Sequence, residues 1–554
     1  MTRASIETAL GDVFDPHNPY NADAVLAADE DRRMVEGAEA VLDAEGLGAA
    51  FVPVEFGGTL RSVPELIATL RPVFARDASL GLGYGVTTLM AGLNVWTAGD
   101  HAQRTFLADT VLGGGKVSVA YHELDHGNDF SSNAMCADES GSGYLLTGRK
   151  EIINNAQRAR AAVVFARTGD RPGRTHSLFL VDLRDCADSV RRLPRFETIA
   201  LRGVGLSGFD FDNHPVDGAD LVGAVGTGAE TALRSFQVSR TVLAGAGIGP
   251  VDTALHIVTS FASRRILRGR TLASLQHART NIALAGSLML AADALVGSVA
   301  RRIHSRPEAV STQTAAAKYL APQLLEQAME YLAVVLGARF YLRSGPYGLF
   351  GKHFRDLGPI GIGHAGGTSC LLNILPQLPR VVRECESGSA TELFGSDCST
   401  TAVPFDRLRM SVPAGDPYLA GLPSWLTTLG SGAGVTATAR RLPDFLTAVR
   451  ALDRSELRID AASRAMALAD RYCELLAIAA AAGHHAAQPD SFTAAWARLA
   501  VAAIDARRGG LRPQVDIADV DTVFDELTHR ARDGRSNCLD AAPVLRSTPD
   551  QEKS

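Results

Sequence analysis

The chain has few cysteines, and they form no pattern. The seven (Cys136, Cys186, Cys370, Cys385, Cys398, Cys473 and Cys538) are scattered over 554 residues without a C-x-x-C pair. An odd, dispersed set argues against a disulfide framework or a cysteine zinc site and for reduced thiols in the cytoplasm. Positive charge is not in excess: 55 Lys and Arg against 61 Asp and Glu give a net charge of −6. Nucleic acid and anionic membranes are therefore not expected partners. The start, "MTRASIETALGDVFDPHNPYN", lacks the basic-then-apolar order of a signal peptide. No apolar run such as "VVFA" or "LLAIAAAA" reaches the length of a bilayer span, so no integral membrane segment is expected. Internal repeats are missing too. Heavy use of alanine, arginine and glycine fits a GC-rich bacterial source. The paired histidines of "GHHAAQ" point to different helix faces, so no metal site is expected there.

The length suggests two to four domains. Residues 1–115 read as helices; "NADAVLAADEDRRMVEGAEAVLDAEGL" has helical apolar spacing and ends at glycine. The period then changes. "KVSVAYHE", "GYLLTGRKEII", "RAAVVFART" and "THSLFLVDL" are short, β-branched and bounded by turn residues, predicting an antiparallel β domain over 116–225. Long helical segments return over 226–386 and predict a bundle. A Ser-, Gly-, Thr- and Pro-rich linker is expected at 387–420, further helices at 421–530, and a disordered polar tail at 531–554. The fold class is α+β, with the order helical, β, helical, helical.

Five stretches in this order resemble the acyl-CoA dehydrogenase superfamily: "EFGGTLRSVPELIATLRPVFARDASLGLGYGV", "GYLLTGRKEIINNAQRARAAVVFART", "IALRGVGLSGFDFDNHPVDGADLVG", "SFASRRILRGRTLASLQ" and "FRDLGPIGIGHAGGTS". The resemblance covers about residues 25 to 385. It implies FAD in a cleft between the β domain and the bundle, an acyl thioester on one flavin face, and a second subunit that helps bind the flavin. A homodimer or homotetramer is therefore expected. The family's reaction needs a positioned base for the weakly acidic α-proton and a polarised carbonyl. The flavin does the hydride chemistry.

The carry-over is uneven. The family's base, a glutamate before Gly-Thr, falls on Gly366 when aligned from Gly367-Thr368, and on His364 when aligned from Arg355-Asp356. The alternative family position, before an arginine on the first bundle helix, holds Ser239, followed by Arg240. Neither has a carboxylate. His364 is the nearest ionisable replacement; its bland reading is a loop histidine without chemistry. Around the flavin, the resemblance points to His122, Glu123 and Asn128 in "HELDHGND", Ile152 and Asn154 in "KEIINN", Arg265 and Arg268 in "RRILRGR", and Gln276. It also points to Gly337 in "AVVLGAR" and to Gly367 and Thr368. Ser239 and Arg240 are the substrate-side candidates. Glu123 also reads as an ordinary structural carboxylate, and Asp356 as a residue that fixes a loop by pairing with Arg355.

Three functions follow. The first is α,β-dehydrogenation of an acyl thioester, on CoA or an acyl-carrier protein, in specialised metabolism, with electron-transfer flavoprotein or oxygen as acceptor. The second is a flavin oxidase or monooxygenase on the same fold. The third is a thioester-binding or structural protein that has lost flavin.

Overall fold

The computed structural model describes residues 2–549 except 128, 172, 185, 187, 364–365, 385–388, 396–401, 459, 461–462, 490–492 and 511. The N-terminal part is helical, with α1 (Ala22–Glu30), α2 (Val63–Arg76) and α3 (Thr87–Ala98). Helix α2 starts at Ser62, whose hydroxyl accepts the Glu65 N–H at 3.3 Å. It buries Val63, Leu66, Ile67, Leu70, Val73 and Phe74, the i, i+3, i+4, i+7 face of an amphipathic helix.

The central sheet has eight strands: β1 (Lys116–Ala120), β2 (Cys136–Ser140), β3 (Gly143–Asn154), β4 (Ala159–Arg167), β5 (His176–Asp182), β6 (Val190–Leu193), β7 (Leu206–Asp217) and β8 (Leu221–Val222). Seven run in the order β6-β7-β3-β2-β4-β5-β8, and β1 pairs with β4. Most pairings are antiparallel, as expected, but β1 lies parallel to β4. Strand β4 serves two cores through its period of two: Ala161, Val163 and Phe165 face the helices, while Ala162, Val164 and Ala166 face a second cluster.

The bundle comprises α4 (Gly228–Ala246), α5 (Ile248–Arg264), α6 (Gln276–Ser305), α7 (Ser311–Leu336), α8 (Gly345–Ile362) and α9 (Gly367–Ile374). Helices α4 and α5 meet at Gly247. A short hairpin, β9 (Ile266–Leu267) and β10 (Arg270–Thr271), leads into α6. Two helical stretches, Gly228–Arg264 and Gln276–Ser305, are long and apolar enough to cross a membrane, contrary to the sequence expectation. Their apolar windows are 100% and 94% buried inside the protein, so that surface already has a partner.

Beyond two short helical turns, five longer helices follow: α10 (Pro417–Thr428), α11 (Ala433–Arg450), α12 (Ser463–Ala487), α13 (Ala494–Ala506) and α14 (Ile517–Arg532). Helices α12, α13 and α14 pack on α6 and sheath it. The approach is close: a Cβ on Gly286 would stand 2.6 Å from a methyl carbon of Leu527. The segment expected to be a disordered tail instead packs onto the body as far as Pro549. Asp252, buried on α5, pairs with Arg546 at 2.9 Å and accepts the Asn537 N–H at 2.8 Å. Asp293, buried on α6, accepts the Leu539 N–H at 2.9 Å. Polar composition suggested disorder, but buried carboxylates need partners, and this strap supplies them. The described part of the linker is docked as well, with the Val412 N–H bound to Gln377 at 2.8 Å.

Candidate active site

A cavity of about 890 Å³ opens where the sheet meets α4, α7, α8 and the start of α9. Its apolar wall comes from aromatic rings contributed by different elements. Tyr121 lies 5.4 Å from Phe165 and 5.9 Å from Phe236, and Phe130 lies 6.1 Å from Phe236. The Tyr121 hydroxyl is fixed by donation to Asn94 at 2.6 Å.

Arg240, Asp129 and Glu326 are the charged residues in the cavity lining, and Lys318 is buried on α7 beside Tyr319 of that lining. Arg240, on α4, is 1% exposed, and its Nε and Nη2 have no hydrogen-bond partner among the described residues. Its guanidinium sits 5.2 Å from the centre of the Phe236 ring. Lys318, fully buried on α7, donates to the Ile360 carbonyl. Burial, with Arg240 adding repulsion, pushes its pKa down to about 8. Two carboxylates line the cavity, Asp129 and Glu326. Asp129 accepts the hydroxyls of Ser131 and Ser132, which hold it below the usual carboxylate range. Glu326, on α7, makes no hydrogen bond or ion pair with any described residue. Burial, reinforced by Glu330, pushes its pKa up, against an opposing pull from Arg507.

Glu326 was not among the residues expected at the site. Tyr319, Pro322, Gln323 and Glu326 all line the cavity, at the i, i+3, i+4, i+7 spacing of one helical face. That spacing within "YLAPQLLE" was the signal that could have found Glu326.

The residues expected at the site fall into several groups. Gly366, Gly367 and Thr368 form the first turn of α9 and line the cavity. A Cβ on Gly366 would stand 2.4 Å from the Ile362 carbonyl oxygen, so a glutamate cannot occupy this backbone. Gly366 thus marks a position where no catalytic side chain fits. Ser239 is buried beside Arg240 on α4, and only Arg240 lines the cavity. His364 and Asn128 lie outside the described residues.

Around the sheet, Glu123 was a cofactor candidate. Both its oxygens are taken within the chain: Oε1 accepts from Lys150 at 2.7 Å and from the Met135 N–H at 3.1 Å, and Oε2 from the Ala134 N–H at 2.8 Å. Burial raises its pKa, but Lys150 and these N–H groups outweigh that and hold it low. Its role is structural. His122 is half-buried beside the cavity wall rather than in it. Its Nδ1 lies 3.1 Å from the Glu151 carbonyl, and burial lowers its pKa. Ile152 has φ of 57°, a strained setting for a branched residue, at an irregularity in the β3–β7 register. Asn154 donates to the Leu82 carbonyl at 2.9 Å and to Thr87 at 2.6 Å, tying the sheet to the N-terminal helices. Its Oδ1 is buried without a hydrogen bond among the described residues.

Arg265, Arg268, Gln276 and Gly337 do not reach this cavity. The first three are exposed on the hairpin and at the start of α6. Gly337 caps α7 with φ of 56°, eleven residues past Glu326, or about 16 Å along the helix. Arg265 and the post-cap Arg339 both act on Tyr347, so these residues share the other end of the bundle. Within one chain, the expected flavin residues therefore form two clusters.

The Arg355-Asp356 pair sits on α8, not in a loop. Asp356 accepts from Lys352 at 2.7 Å, Arg355 at 2.9 Å and the Leu201 N–H at 2.8 Å. Arg355 grips Asp29 of α1 with two bonds of 2.6 and 2.8 Å. The network joins the bundle, the sheet domain and the N-terminal helices. Among the described residues no group of His, Cys, Asp and Glu could hold a metal ion.

Comparison with known proteins agrees with this architecture. Residues 118–214 match the family model "Acyl-CoA dehydrogenase, middle domain", and residues 226–375 match "Acyl-CoA dehydrogenase, C-terminal domain". The chain is 25% identical to the mitochondrial isovaleryl-CoA dehydrogenase of Solanum tuberosum over 306 residues, 54% of this chain and 72% of that protein. Its fold is like butyryl-CoA dehydrogenase from Megasphaera elsdenii, with a TM-score of 0.61 at 19% identity, over 67% of this chain and 96% of that one. It is also like the prolyl acyl carrier protein oxidase AnaB, with a TM-score of 0.58 at 18% identity, over 66% and 95%. The domain order, both family models and these likenesses place the chain in the acyl-CoA dehydrogenase superfamily.

Proposed function

We propose that this protein is an FAD-dependent oxidoreductase that forms an α,β-double bond in an acyl thioester carried on CoA or an acyl-carrier protein. The observation that carries the reading is Arg240, a buried guanidinium at the wall of an aromatic cavity whose Nε and Nη2 are unpaired among the described residues. Leaving such donors unpaired is costly, so the site calls for a ligand oxygen. A thioester carbonyl gaining negative charge fits that need.

The chain also suits the cofactor. The turn Gly366–Thr368 presents backbone N–H groups at a helix start, and Asn154 has an unused buried oxygen. The aromatic wall suits a flat ring system. Bound FAD would supply the two-electron oxidant that accepts the β-hydride. The exposed cluster of Arg265, Arg268, Gln276 and Gly337 would then serve the cofactor of a second subunit, in a homodimer or homotetramer. The extended helices and the altered site support a specialised substrate. Absence of a carboxylate at both family positions, together with the likeness to a carrier-protein oxidase, keeps oxygen beside electron-transfer flavoprotein as the electron acceptor.

The test is the visible absorption spectrum of purified protein after FAD is added and the excess removed. Retained flavin supports the reading. A protein that stays colourless and leaves acyl thioesters unchanged refutes it and favours the non-redox reading.

A further inference from the structure

We propose that Glu326 is the base that takes the substrate's α-proton, with Arg240 across the same cavity balancing the charge that develops on the thioester carbonyl. The inference rests on the oxidoreductase reading above and adds the residue that neither family position supplies.

The geometry singles out Glu326. It and Asp129 are the carboxylates in the cavity lining, and Asp129 is already spent on two serine hydroxyls. Glu326 has no such partner among the described residues. Its carboxylate lies against a glycine surface of α8. A Cβ on Gly358 or Gly361 would stand 3.8 or 3.9 Å from Glu326 Oε1, within van der Waals contact, which places the carboxylate beside these two glycines. Its neighbour Gln323 is held by donation from Arg507 at 2.7 Å. The groups around it are Tyr319, Gln323 and Glu330 on its own helix, Arg507 beyond α13, and Arg240 across the cavity on α4. Burial and Glu330 outweigh Arg507 and make the carboxylate a stronger base than one in water.

The step balances. The α-carbon–hydrogen bond breaks, and the proton passes to a Glu326 oxygen, giving the neutral acid. The electron pair delocalises onto the thioester oxygen, where Arg240 stabilises it. Bound FAD would supply the two-electron oxidant that takes the β-hydride, so electrons balance as well as atoms.

Proton removal can be read without oxidation. Phenylacetyl-CoA has α-protons but no β-hydrogen, so its exchange in D2O reports the base alone. The FAD-loaded protein should exchange those protons, with a rate that rises with pH as the carboxylate ionises. Glu326→Gln should lower both exchange and turnover of an oxidisable acyl-CoA by at least about 100-fold, and abolish that pH limb. Retained flavin and an unchanged Tm will show that this variant folds. Glu326→Asp should recover part of the rate. An exchange rate in Glu326→Gln close to wild type overturns the proposal, as does loss in His364→Ala with retention in Glu326→Gln. If the wild-type protein neither exchanges phenylacetyl-CoA nor oxidises any acyl-CoA, the oxidoreductase reading itself fails, whatever the role of Glu326.

Discussion

Gly366 stands so close to Ile362 that a Cβ on it would lie 2.4 Å from the Ile362 carbonyl oxygen. This contact crowds one of the two places, Gly366 or His364, onto which the resemblance carries the family's base. Gly366→Glu is therefore expected to destabilise the protein, by about 1–3 kcal/mol for forced overpacking, without raising activity. Thermal unfolding together with turnover checks it. A stable, more active variant would contradict the contact.

Lys352 is enclosed by Asp29, Asp77 and Asp356, all buried. Lys352→Met leaves these carboxylates short of their central cation, with only Arg355 and weaker partners remaining. Breaking a buried ion pair from one side costs about 3–5 kcal/mol. Denaturant unfolding should show a loss of that order.

His353, the next residue, is fully buried, and burial beside Lys352 pushes its pKa down to about 3; Asp356 and Arg546 also act on it. In the unfolded chain it titrates near 6.5. The folded state keeps it neutral, so its contribution is intact above pH 6.5 and shrinks as pH falls from 6.5 towards 3. The slope from this group is about 1.4 kcal/mol per pH unit. In His353→Gln, stability should fall less steeply between pH 6 and 4 than in the wild type, as measured by denaturant titrations at several pH values.

The C-terminal extension is part of the body, because α12, α13 and α14 cover α6. A chain ending before Pro417 would expose that apolar face and is expected to aggregate. Arg546→Met should be destabilising on its own, by several kcal/mol, because it removes the ion-pair partner of the buried Asp252. Solubility and unfolding midpoints read both.

Much of this fold was legible because its periods change sharply. Val163 and Phe165 alternate with Val164 and Ala166, and α2 repeats its apolar residues at helical spacing. The site was less legible. Gly366-Gly367-Thr368 was found, because a short motif marks a turn. Glu326 was missed, because "QLLEQAMEYL" reads as an ordinary amphipathic face until α8 and α4 close over it. Its function depends on what faces it, and that information is tertiary. The strap to Pro549 was misread for the same reason: its polar residues answer Asp252 and Asp293, which lie about 250 to 290 residues earlier.

The most direct test of the central claim is an anaerobic titration of the FAD-loaded protein with a panel of acyl-CoA and acyl-carrier-protein thioesters, followed through the flavin's visible absorption band. The account predicts that at least one thioester bleaches the band and yields the α,β-unsaturated product. A protein that binds FAD, yet whose flavin no thioester reduces, would contradict it.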